Sequence, residues 1–171
     1  MDKQEELNKL FNIKKEEFGE KYDDRIFDQY KLYIEMIEGL NERRATANNF
    51  FLSISTGLLT ALGVLFNIGI SFITNSGWIL IGSSSGILFC YTWIRTVKSY
   101  SQLTAGKWEV INNIEQKLPL TQFTTEWNIL GKGKDPSRYK LLTDVEKYVP
   151  LIFIGIYAIL SVISIASMLL Q

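Results

Sequence analysis

Charged residues are confined to two blocks of the chain, and two long segments have none. Every Lys, Arg, Asp and Glu lies within residues 2–44 or residues 95–147. Residues 45–94 and 148–171 contain no such side chain. An ion at the centre of a bilayer costs about 2.5–3.5 kcal/mol, so membrane proteins keep charge out of their spans. The pattern therefore indicates an integral membrane protein.

The two charge-free segments predict three transmembrane helices. A span takes about 17–25 mostly apolar residues, and residues 49–73, 78–94 and 148–170 fall in this range. The run TNSG, Thr74–Gly77, is a turn signal between the first two spans. The predicted fold class is thus an all-α integral membrane protein with three transmembrane helices.

Helical periodicity continues from the spans into the charged blocks. Before the first span, apolar side chains recur at steps of three and four, at Ile26, Tyr30, Tyr33, Ile37 and Leu40. After the second span, similar spacing runs over residues 97–118 until Pro119 ends it. We therefore expect the first two helices to extend beyond the membrane as cytoplasmic helices.

Four segments and an orientation follow from these patterns. Positive residues flank the spans on one side, at Arg43, Arg44, Arg95, Lys98 and Lys147. Since positive flanks stay inside, we expect a cytoplasmic N-terminus and a C-terminus on the outer side. The segments are a cytoplasmic N-terminal helical segment (1–48), a transmembrane hairpin (49–94), a cytoplasmic helix plus loop (95–147) and a third transmembrane helix (148–171).

The loop before the third span contains several local signals. Thr124–Trp127 predicts the start of a short helix that Gly131 closes. The run Gly131–Lys134 lacks the spacing of a phosphate-binding loop, so we expect a solvated turn. Thr143–Glu146 matches a capping box that begins the third helix, and Pro150 predicts a kink within it.

Small and hydroxyl residues interrupt the first two spans. Pairs of small residues four positions apart allow close approach of helices, so we favour helix packing within or between subunits. The alternative is that the hydroxyls line a polar pathway or pore. The candidate positions are Ser53, Thr56, Gly57, Thr60, Gly82, Ser83, Ser84, Ser85 and Gly86.

Candidate chemistry in the charged blocks is sparse. The chain has no histidine and one cysteine, Cys90, and no spacing of acids typical of metal ligands. We therefore expect no catalytic residues, no metal and no cofactor, and the protein is not expected to be an enzyme.

Net charge is −3 over residues 1–47 and +3 over residues 95–147, which argues against nucleic acid as a partner. The cations Lys132, Lys134 and Arg138 form the one candidate ligand contact of the loop, for a sensor or effector role.

Several runs of the chain resemble the RipA family of bacterial octameric membrane proteins. They are the segment from Tyr30 to Leu52 (YKLYIEMIEGLNERRATANNFFL), Lys107 to Pro119 (KWEVINNIEQKLP), Glu126-Trp127, Gly131 to Asp135 (GKGKD), and the pattern Leu142-Thr143-x-x-Glu146-x-x-Val149-Pro150. The resemblance implies a homo-octamer in the bacterial inner membrane, surrounded by lipid, and it supplies no site residues. The layout of a helix followed by a membrane hairpin is also similar to SLATT-domain proteins, effectors thought to permeabilise membranes.

The function expected from these observations is a non-enzymatic, homo-oligomeric membrane assembly, most simply a scaffold. The alternative is a channel or membrane-permeabilising effector lined by Ser and Thr of the first two spans.

Overall fold

Helices account for most of the chain in the structure, a computed structural model that describes Glu5, Leu7 and residues 9–67 and 72–170. No strand occurs within these ranges. The helices are α1 (Lys15–Phe18), α2 (Tyr22–Asn67), α3 (Phe72–Glu115), α4 (Gln122–Ile129), a 3-10 turn (Gly131–Gly133), α5 (Leu142–Glu146) and α6 (Tyr148–Leu169).

Within the described residues, three helical segments are long and apolar enough to cross a membrane, and they belong to α2, α3 and the pair α5 and α6. This confirms the predicted all-α fold with three transmembrane helices. The first two are far longer than a span. With 46 and 44 residues and a rise of about 1.5 Å per residue, each extends about twice the thickness of a hydrocarbon core of about 30 Å. Each is therefore too long to lie within the hydrocarbon core alone.

The predicted turn at Thr74–Gly77 is wrong. Helix α3 already begins at Phe72, so these four residues lie within its first turns. Ser, Thr and Asn are well tolerated near a helix start, because their side chains are the usual N-terminal caps. The end of the predicted first span, at residues 68–71, lies outside the described residues.

The chain forms two units, which we name by their content. The charged unit comprises Met1–Arg43 and Tyr100–Leu141, and the apolar unit comprises Arg44–Ser99 and Leu142–Gln171.

In the charged unit, the predicted apolar stripe of α2 packs against α3. Tyr30 and Ile37 from α2 and Ile111 and Ile114 from α3 are buried together. Phe123 of α4 packs against this cluster, with its ring 5.0 Å from that of Trp108. The hydrophobic stripe read from the sequence is therefore the contact surface between α2 and α3.

In the apolar unit, α2, α3 and α6 share a core. Leu62, Cys90 and Tyr157, one from each helix, are buried in a single cluster. A second cluster contains Phe51 stacked on Trp93, with ring centroids 5.7 Å apart and planes 8° apart. Large aromatic side chains thus fill the space between the three helices.

The third span is divided close to the predicted kink. Helix α5 ends at Glu146, and α6 begins at Tyr148 and contains Pro150 near its start. Proline lacks the N–H that would bond to the carbonyl four residues earlier, here that of Glu146. The interruption at Lys147 therefore lies where the proline removes a backbone hydrogen bond. The helix begins at Leu142, so Thr143 lies inside α5 rather than before it.

Candidate functional site

The four candidate residues of the first span form an exposed face, which we call the α2 face (Ser53, Thr56, Gly57 and Thr60). All four are exposed in the chain, and their spacing of three, one and three residues puts them on one side of the helix. Ser53 Oγ donates to the Asn49 carbonyl at 2.8 Å, and Thr60 Oγ1 donates to the Thr56 carbonyl at 2.9 Å. A Cβ added to Gly57 would meet nothing within 4 Å. The α2 face is thus a shallow, uncharged surface on which the hydroxyls of Ser53 and Thr60 donate to their own helix.

The serines of the second span divide between the inside and the outside of the apolar unit. Ser83 is fully buried, whereas Ser84 and Ser85 are exposed. Ser83 Oγ lies 2.7 Å from the Ile79 carbonyl and 2.7 Å from Ser161 Oγ of α6. Ser83 therefore joins α3 to α6 within one chain, and only Ser84 and Ser85 of this run remain available at the surface.

Gly82 and Gly86 are positions of close helix approach within the apolar unit. A Cβ on Gly82 would lie 2.6 Å from Leu62 Cδ2 of α2. A Cβ on Gly86 would lie 2.7 Å from the ring of Tyr157 in α6. Real Cβ atoms do not approach so closely, so glycine at these two positions allows the helices to pack.

The helices of the apolar unit are joined by buried hydrogen bonds that were not predicted from the sequence. Tyr157 is fully buried, and its hydroxyl donates to the Ser55 carbonyl at 2.8 Å. Ser55 Oγ lies 3.9 Å from Cys90 Sγ, and Ser164 Oγ donates to the Ser76 carbonyl. A buried tyrosine hydroxyl requires a hydrogen-bond partner, so a tyrosine in a charge-free span was the available signal.

A largely buried ion pair joins α2 to α5. Arg44 Nε donates to Glu146 Oε2 at 2.9 Å, and its Nη2 contacts both that oxygen and Thr143 Oγ1. The side chains of Arg44 and Glu146 are only 10% and 18% exposed. The two side chains of the predicted capping box therefore both contact an arginine from another helix.

In the charged unit, the buried carboxylate of Glu115 collects four hydrogen bonds. Oε1 accepts from Tyr30 Oη at 3.0 Å and from the Phe123 amide at 2.9 Å. Oε2 accepts from the Thr124 amide at 2.9 Å and from Thr124 Oγ1 at 2.8 Å. Glu115, the last residue of α3, thus caps the first turn of α4, where backbone amides lack helical partners.

The electrostatics of this cap favour the ionised carboxylate. Burial alone raises the pKa of Glu115, but the hydrogen bonds from Phe123, Thr124 and Tyr30 outweigh it, so the pKa lies below its ordinary value. Burial raises the pKa of Tyr30, because it disfavours the phenolate. Tyr30 is therefore a neutral donor and Glu115 a charged acceptor.

The candidate cations of the loop are exposed. Lys132, Lys134 and Arg138 all face solvent. Arg138 Nε lies 3.3 Å from Asp135 Oδ2. Ser137 donates to Asp135 through both its hydroxyl and its amide, which keeps the pKa of this carboxyl below its ordinary value. The turn has positive φ at Gly131, Lys132 and Gly133, a backbone conformation that the two glycines favour.

The hydrogen bonds and close contacts described above join helices to one another. Among the described residues, no three His, Cys, Asp or Glu side chains converge as a metal site would require. Nothing in the described part of the chain places a base beside the buried Cys90 thiol, whose neighbours are Ser55 and packed apolar side chains.

The model of the octameric membrane protein family (8xMP) matches residues 27–166, which is most of the chain. No curated protein and no solved structure shows significant similarity.

Proposed function

Because the chain belongs to the octameric membrane protein family, we propose that it is a subunit of a non-enzymatic, homo-oligomeric membrane assembly with a scaffold role. In this assembly the transmembrane helices form a ring of subunits in the lipid. The charged units form a surface in water on which other proteins dock. The motifs shared with RipA proteins support a RipA-type member in a bacterial inner membrane.

The observation that carries the proposal is the α2 face. Ser53 and Thr60 already donate to their own helix, so a neighbouring helix can cover them without leaving a donor unpaired. Gly57 is open to space, which allows a second backbone to come close. In lipid, small residues such as Gly, Ser and Thr favour helix association because they let two backbones approach closely. We therefore assign the α2 face to contact between subunits.

The test replaces Gly57 with leucine in the full chain. Gly57→Leu should reduce the number of subunits measured by light scattering in mild detergent, because the new side chain separates the helices. Gly155→Leu is the matched control, since Gly155 in α6 is also an exposed glycine with nothing within 4 Å of a Cβ. An unchanged subunit number in both variants would contradict the assignment of this face.

The proposed orientation puts the charged unit and the loop in the cytoplasm. Arg95, Lys98 and Lys147 support it, since positive residues flank spans on the inner side. Labelling with an impermeant thiol reagent, in intact cells, should leave Ser137→Cys unmodified and modify it only after lysis. Modification in intact cells would reverse the orientation.

A second candidate function is a channel, and the exposed hydroxyls of Ser53, Thr56 and Thr60 favour it. Ser84 and Ser85 are exposed as well, whereas Ser83 is used inside the chain. If the α2 face lined a wet axis, reconstituted protein would pass ions, and Thr56→Val with Thr60→Val would reduce the flux. Liposomes that remain tight would exclude this candidate and leave the scaffold.

A further inference from the structure

The basic loop before the third span (residues 131–141) exposes four cationic side chains within ten residues. Lys132, Lys134, Arg138 and Lys140 are all exposed. Asp135 is the one acid in this segment, so its net charge is +3. Asp135 is also half-buried and held by Ser137 and Arg138. The surface offered to a partner is therefore strongly positive.

The loop is held on α4 rather than extended freely. The rings of Trp127 and Tyr139 meet edge to face with centroids 6.3 Å apart. A Cβ on Gly133 would lie 3.1 Å from Trp127 and 3.2 Å from Leu141. Gly133 thus lets the turn lie directly against Trp127. This packing leaves the four cations on the outside, already gathered in one short segment.

Large apolar side chains flank the cations and are also exposed. Ile129, at the end of α4, is 67% exposed, and Leu141 is 39% exposed. A surface that combines exposed cations with exposed aliphatic side chains matches the interface of a bilayer, where cations meet headgroups and apolar groups enter between them. A soluble anion would engage only the charges.

Few residues separate the loop from the third span, so the loop cannot lie far from the membrane. Lys140 precedes Tyr148, the first residue of α6, by eight residues. A chain extends at most about 3.6 Å per residue, so Lys140 cannot be more than about 29 Å from the start of the third span. Basic clusters next to a transmembrane helix are attracted to anionic lipids.

We propose that residues 131–141 bind the anionic headgroups of the membrane that the same chain spans. Lys132, Lys134, Arg138 and Lys140 contact lipid phosphates, and Ile129 and Leu141 lie at the level of the headgroups. The loop thereby fixes the charged unit against the bilayer surface. This inference depends on the third span and is independent of subunit number.

Hydrogen exchange of the full chain in nanodiscs tests the proposal. Nanodiscs of phosphatidylcholine alone are compared with nanodiscs containing about one third phosphatidylglycerol. We expect slower exchange over residues 131–141 in the anionic nanodiscs, and loss of this difference at high salt, because screening weakens surface charge interactions. Removing one basic residue should lower the equilibrium constant of the protected state, read from the exchange rates, by up to about fivefold.

Two sets of variants with equal charge change separate this loop from net charge. Replacing Lys132, Lys134, Arg138 and Lys140 by Gln should abolish the lipid effect. Replacing Lys9, Lys14, Lys15 and Lys21 by Gln removes the same charge from other exposed positions and should preserve it. Asp135→Asn should strengthen the effect. Unchanged exchange of the α4 amides of Phe123 and Thr124 verifies folding in every variant.

Three results would overturn the proposal. Equal exchange of the loop in both lipids would assign the loop to a protein contact or to water. Protection by phosphatidylglycerol that persists in the fourfold loop variant would place the lipid elsewhere. Protection by ATP or inorganic phosphate, in nanodiscs where phosphatidylglycerol has no effect, would assign the cations to a soluble anion.

Discussion

Tyr30 donates a hydrogen bond of 3.0 Å to the carboxylate of Glu115, although 85 positions separate them in the sequence. Both side chains are buried in the charged unit. The same carboxylate accepts from two amides and a hydroxyl at the start of α4. One side chain therefore joins α2, α3 and α4.

Replacing Glu115 by Gln should destabilise the charged unit. The amide NH2 of glutamine would face donors that now meet a carboxylate oxygen, and a buried unpaired donor costs about 1–3 kcal/mol. We expect the free energy of unfolding to fall by about 2 kcal/mol, with faster hydrogen exchange at Phe123 and Thr124. Glu126→Gln, at an exposed position of α4, is the control. Equal stability of the two variants would contradict the capping role.

The stability that Glu115 contributes should depend on pH. Its pKa is lower in the folded protein than its ordinary value of 4.5, so the unfolded chain binds a proton more readily. The stability contributed by the ionised Glu115 carboxylate is therefore present at neutral pH. It is lost as the pH falls through the pKa of Glu115 in the folded protein. The difference in melting temperature between the parent protein and Glu115→Gln should shrink between pH 7 and about pH 3.5. A constant difference over this range would contradict the account.

Gly86 should tolerate no side chain. A Cβ would approach the Tyr157 ring to 2.7 Å, and overpacking of a core costs about 1–3 kcal/mol. Gly86→Ala should therefore lower the melting temperature in detergent. In Gly155→Ala the Cβ enters open space, so stability should stay equal or rise. The same effect for both glycines would show that α3 and α6 are not packed at Gly86.

Arg44 and Glu146 should stabilise the fold only when both are present. Removing one member leaves the other charge largely buried, which costs about 3 kcal/mol. Arg44→Met and Glu146→Met should each be strongly destabilising, and the double variant should recover much of the loss. Arg43→Met, at an exposed position, controls for the loss of a charge. Additive losses in the double variant would mean that the two side chains do not interact.

Much of the fold could be predicted from the sequence, because a bilayer imposes rules that act on single residues. The absence of charge in residues 45–94 and 148–171 was enough to predict the spans. Apolar residues that recur at steps of three and four, including Tyr30 and Ile37, were enough to predict the buried side of α2. Both patterns are local, and both are confirmed.

The contacts between helices could not be predicted in the same way. Ser83, Ser84 and Ser85 look alike in sequence, yet only Ser83 is buried against Ser161, since the rotation of α3 decides which serine faces α6. Thr143 and Glu146 match a capping box, yet both contact Arg44 from 99 and 102 positions away. Periodicity indicates that a face is buried and does not identify its partner.

The most direct test of the central claim is native mass spectrometry of the full chain released from lipid nanodiscs. We expect a particle of eight identical chains of 19.6 kDa, because the family to which the chain belongs is described as octameric. We also expect Gly57→Leu, but not Gly155→Leu, to give smaller particles. A parent protein that remains a single chain at every concentration would contradict the assembly.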